Sequence, residues 1–77
     1  MVYIVQEVNM DMSSYTRVGL CALGTIWSHD YSELVIVITE TGEALGANED
    51  DGFTRFWFDA DSLALIDGDT GRAYEVL

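Results

Sequence analysis

Short runs of β-branched and aromatic residues, separated by glycine and by clusters of Asn, Asp and Ser, recur along the whole chain, a strand-and-turn pattern. Val2 to Val8 predicts a first strand with Val2, Ile4 and Val8 on one face, followed by a polar loop from Asn9 to Ser14. Tyr15 to Trp27 carries Gly19 and Gly24 and predicts a bent or bulged strand. Ser28 to Ser32 is a turn, and Glu33 to Thr39, the most β-branched run, predicts the central strand.

Glu40-Thr-Gly-Glu43 places glycine where a tight reversal needs positive φ, so Ala44 to Ala47 should return antiparallel. An acidic loop, Asn48 to Gly52, precedes an aromatic strand, Phe53 to Phe58, in which Phe56 and Phe58 point one way and Arg55 and Trp57 the other. Asp59 is placed to cap a short helical turn over Ala60 to Ala64. After a second glycine turn, Asp67 to Gly71, the residues from Arg72 to Leu77 make a last strand. These elements predict a single domain spanning residues 1–77, all-β or mostly β with one short helical turn. The expected architecture is a small antiparallel barrel or a highly bent sheet of five to six strands.

Within this pattern, Arg17-Val-Gly, Gly24-Thr-Ile-Trp, Leu34-Val-Ile-Val-Ile, the Thr-Gly hairpin, Phe56-Trp-Phe and Ser62-Leu-Ala-Leu-Ile are arranged in a rhythm that resembles an SH3-like barrel of the Tudor or KOW type. The resemblance covers about residues 15–66 and implies a short helical turn before the last strand. The chain departs from those modules in its extra N-terminal strand. It also lacks their basic residues and a complete aromatic cage, so the resemblance implies a fold and no ligand.

Composition narrows the picture. With 77 residues, 49% of them hydrophobic, the chain is neither a disordered acidic tail nor a multidomain enzyme. A core of this size supplies only about 3–5 kcal/mol, a shortfall that small domains often make up with disulfides or a structural metal. One cysteine and one histidine exclude an internal disulfide and a Cys/His zinc site, so stability must come from the core or from oligomerisation. Lone Cys21 fits a reducing compartment. MVYIVQEV has no basic leader and no long apolar stretch, and Leu34 to Ile38 is far too short to span a bilayer, so a cytoplasmic protein is expected.

Charge is the most informative property. There are 14 Asp and Glu against three basic residues, all arginine, for a net charge of −11. Residues 1–29 carry Glu7, Asp11 and Arg17, a net −1, whereas residues 30–77 carry the other 12 acids with Arg55 and Arg72, a net −10. Repulsion on this scale opposes folding and is screened by salt. It disfavours direct binding to nucleic acid or to an anionic membrane and favours a basic partner, such as a nucleic-acid-binding protein of a host.

Several constellations invite chemical readings. Ser28, His29 and Asp30 are adjacent in a turn, where a triad geometry is hard to reach, and Cys21 with His29 lacks an oxyanion element; no catalytic residue is assigned. Asp67-Gly-Asp-Thr-Gly71 fails the EF-hand spacing, because position 6 is Arg72 and the chain ends before position 12. No metal site and no cofactor are expected. The acids Glu49, Asp50, Asp51, Asp59, Asp61, Asp67 and Asp69 fall in or beside turns, where carboxylates can imitate a row of phosphates. The plainer use of the same charge is to keep a small β protein soluble and its strand edges unpaired. Trp57, opposite Phe56 and Phe58, or Trp27 is the candidate apolar anchor among these acids; a core position or a homodimer interface are the other uses open to Trp57.

Small size, the absence of lysine and acidic β structure resemble the inhibitors that bacteriophages direct against restriction, CRISPR, recombination or transcription machinery. The expectation is a non-enzymatic inhibitor of a basic nucleic-acid-handling protein, acting as a DNA mimic. The alternative is an SH3-like structural or adaptor module, homo-oligomeric in a phage particle or larger assembly.

Overall fold

The computed structural model describes residues 12–46 and 55–77. The expected first strand at residues 2–8 and the acidic loop with Glu49, Asp50 and Asp51 lie outside the described residues. A 3-10 turn, Met12–Ser14, leads into β1 (Tyr15–Cys21), which pairs antiparallel with β2 (Gly24–His29). The sequence pattern predicts one bent strand here, and the chain instead folds into a hairpin. Ala22 and Leu23 form its turn without a polar turn residue, and the glycine that eases the reversal, Gly24 at φ 146°, stands just after it. The expected bulge is present, as the register shifts between Arg17 and Gly19.

β3 (Val35–Ile38) is an inner strand between β2 and the short β4 (Ala44–Leu45), completing a four-stranded meander. The reversal after β3 has Gly42 at φ 88° and is closed by the amide of Thr39 donating to the carbonyl of Glu43 at 2.9 Å. A second antiparallel sheet contains β5 (Phe56–Asp59), β6 (Ala64–Asp67) and β7 (Ala73–Glu75) in sequential order. Seven strands are therefore present among the described residues, in two sheets rather than a closed barrel.

The short helical turn expected after Asp59 is a turn over residues 60–63 that does not continue as a helix; no α-helix occurs among the described residues. Asp59 does accept amide hydrogen bonds from Asp61 (3.0 Å) and Ser62 (3.3 Å) through Oδ1, as a cap would. Leu63 then adopts φ 52°, which leaves the right-handed helical region and turns the chain directly into β6. In Ala64-Leu-Ile-Asp67 only Leu65 and Asp67 are buried, a strand alternation.

One hydrophobic cluster draws on both sheets. Phe56 and Leu65 of the second sheet, both fully buried, pack with Cys21, Ile26, Val35 and Val37 of the first. Burying a side chain of this kind stabilises the fold by about 1.5–3 kcal/mol. The backbone ties the sheets as well, with the Leu77 amide donating to Leu20 O at 2.8 Å. Ile36 and Tyr15 are also buried but stand with Trp27 on the opposite face of the four-stranded sheet, given the pairs Trp27–Ile36 and Tyr15–His29.

Candidate partner-binding surface

The nine acids among the described residues are unequal in exposure. Asp30, Glu33, Glu40, Glu43, Asp61, Asp69 and Glu75 are exposed, Asp59 is half-buried and Asp67 is buried. Against them stand all three arginines, for a net −6 over this part of the chain.

Strand pairing explains the exceptional position of Asp67. It lies opposite Phe56, and Leu65 lies opposite Phe58, so Asp67 shares the core-facing side with these three residues. The expected role of Asp67 as an exposed acid at a turn tip is therefore corrected: its side chain is turned inward, only 2% exposed. A buried carboxylate needs partners. Arg55 supplies two donors, Nη2 to Oδ2 at 3.0 Å and Nε to Oδ1 at 3.3 Å, and the Asp69 amide donates to Oδ1 at 2.9 Å. The hydrogen bond from Arg55 holds the Asp67 carboxyl below its ordinary range, against the opposing effect of burial, and the guanidinium is correspondingly raised. Arg55 also approaches Asp69 at 3.4 Å, so both ion pairs among the described residues belong to this one arginine. Charge counting cannot reveal that Arg55 is committed to the fold; its only sequence signal is that it stands alone in a strongly acidic stretch.

The opposite side of the second sheet carries Trp57, Asp59, Ile66, Ala73 and Glu75, because Trp57 pairs with Ile66 and Ile66 with Ala73, while Asp59 pairs with Ala64 and Ala64 with Glu75. Trp57 is 52% exposed on this outward face, whereas Trp27 is half-buried with its indole N–H donated to the Thr25 hydroxyl at 2.9 Å. Asp59 and Asp61 sit at the β5–β6 turn. Asp69 lies in the β6–β7 turn at the far end of β6, roughly 10–15 Å away by strand rise. The carboxyl of Asp59 is held below its ordinary range by the Ser62 hydroxyl and by the amides of Ser62 and Asp61. The predicted residues thus divide: Trp57 and Asp59 share a face, Asp61 and Asp69 flank it, and Asp67 leaves the surface.

A groove of about 410 Å³ runs beside this face, lined among the described residues by Trp57 and Phe58 of β5 and by Ser28, Glu33 and Val35 from the β2–β3 end of the other sheet. Glu33 was not singled out by the sequence pattern, since only the packing of the two sheets brings it to the same groove as Trp57.

The other constellations have separate commitments. His29 Nδ1 accepts the Tyr31 amide at 3.1 Å and its ring meets Tyr15 edge-on at 4.9 Å, while Asp30 Oδ1 accepts the Thr16 hydroxyl at 2.6 Å. These partners differ from those of a nucleophile–base–acid relay. Cys21 is buried in the core. Among the described residues no three of His, Cys, Asp and Glu converge as a metal-binding group, and no helix is long and apolar enough to cross a membrane. No family model, curated protein or solved structure matches this chain.

Proposed function

We propose that this chain is a non-enzymatic, cytoplasmic binding protein whose acidic surface engages a basic nucleic-acid-handling protein, as a phage-type inhibitor in which carboxylates stand in for phosphates. The observation that carries this reading is the arrangement around Trp57: an exposed indole on an outward sheet face with Asp59 and Glu75, flanked by the exposed acids Asp61 and Asp69. Exposed aromatic side chains among charges are the usual anchors of protein interfaces. Dense charge of one sign steers a complementary partner into place. Arg55, which could have offset these acids, is occupied by Asp67 and Asp69.

The test is a pull-down from bacterial lysate on the immobilised protein, eluted along a salt gradient. Basic nucleic-acid enzymes that leave only at high salt and are displaced by duplex DNA support the reading. Asp61→Lys combined with Glu75→Lys should then weaken capture; unchanged capture refutes mimicry.

A second reading, a self-associating structural or adaptor module, is favoured by the exposed Leu20 and Leu77, which the backbone hydrogen bond between them brings to one edge. It predicts concentration-dependent oligomers that persist at high salt.

A further inference from the structure

We propose that the groove between β5 and the β2–β3 end receives an arginine side chain of the basic partner, stacked on Trp57 and paired with Glu33; this rests on the reading that the partner is basic. The two walls of the groove differ chemically. β5 contributes the aromatic residues Trp57 and Phe58, from opposite sides of that strand, and the β2–β3 end contributes an apolar base, Val35, continuous with the core, together with the carboxylate of Glu33 and the hydroxyl of Ser28. Of the protein side chains, arginine matches this set best. Its three-carbon stem suits the apolar base, its flat guanidinium stacks on an indole, and its N–H groups remain free in the plane to meet a carboxylate and a hydroxyl. Lysine lacks the planar stacking surface.

Charge complementarity selects this occupant over an apolar one. The chain carries −11 overall, and Glu33 is exposed at the groove. An apolar side chain seated here would desolvate that carboxylate without pairing it. The indole is also positioned in advance, because it rests against Gly68, whose missing side chain leaves the space that Cζ3 occupies.

The probe is octa-arginine, with octa-lysine beside it, titrated at low salt into the 15N-labelled full chain and followed by the two indole N–H signals and the Glu33 amide. The Trp57 signal is assigned with Trp57→Phe. Octa-arginine is expected to move the Trp57 indole and the Glu33 amide, and Trp57→Ala and Glu33→Gln should each bind it roughly 3- to 10-fold more weakly. Octa-lysine should bind without moving the indole. Glu33→Gln, an exposed and nearly isosteric change, keeps the test open if Trp57→Ala folds poorly. Octa-arginine binding that leaves the Trp57 indole in place and is indifferent to both substitutions overturns the groove and spares the basic-partner reading. Failure of both peptides to bind at low salt overturns the two together.

Discussion

Trp57 lies across Gly68 so closely that a Cβ on the glycine would stand 2.6 Å from indole Cζ3 and 2.9 Å from the carbonyl oxygen of Arg55. The same glycine donates its amide to that carbonyl at 2.7 Å. The exposed indole is therefore held from below by backbone and is not a loosely tethered side chain.

Gly68→Ala is accordingly expected to displace Trp57 and to destabilise the fold by about 1–3 kcal/mol, the usual cost of overpacking. Denaturant unfolding with tryptophan emission as the probe reads both effects. A variant with unaltered stability and emission would show that the indole has room to yield.

Asp67→Asn should lower the melting temperature at neutral pH by about 5–10 °C, since it removes a buried, charge-assisted pair with Arg55. The carboxyl of Asp67 is depressed below its ordinary value of about 3.8, and that of Asp59 likewise. A depressed carboxyl stabilises the fold fully above its unfolded value and loses that contribution as the pH falls through its folded value. The native chain should thus lose stability below about pH 4, and the gap between it and Asp67→Asn should narrow there. Melting curves at pH 7 and pH 3 for both proteins decide this, a pH-independent gap being the contrary result.

Added sodium chloride should raise the melting temperature of the native chain, most steeply below about 0.1 M where the Debye length exceeds about 10 Å. Repulsion among uncompensated carboxylates is what the salt screens. A melting temperature that falls with salt would mean that ion pairs, such as Arg55 with Asp67, outweigh the repulsion.

Leu63 is 55% exposed and adopts φ 52°, so its side chain contributes little packing while its backbone is strained. Leu63→Gly should relieve that strain and stabilise the fold by about 0.5–1 kcal/mol, with the Leu63 carbonyl still accepting the Val76 amide. A shift of the urea midpoint to lower concentration would contradict this.

The sequence by itself determined whatever depends on near neighbours: the all-β class, the hairpin around Gly42, and the alternation that sets Phe56 and Trp57 on opposite sides of their strand; which of those sides meets the core was decided by packing. Period-two alternation and turn chemistry are local, and they are legible wherever glycine or a polar cluster marks the reversal. They failed where the mark was missing, at Ala22-Leu23, and where one residue's backbone overrode a plausible cap, at Leu63. Which acids remain on the surface was decided only by tertiary structure. Asp67 and Asp69 share one glycine-containing acidic segment, yet the register of Asp67 against Phe56 turns it into the core beside an arginine twelve positions earlier. The groove is likewise a product of packing, since Glu33 lies in the β2–β3 connection of one sheet, Trp57 on a strand of the other, and no spacing along the chain relates them. A carboxylate's burial and its partners are set by contacts across strands and between sheets, and those distances are not written in the order of residues.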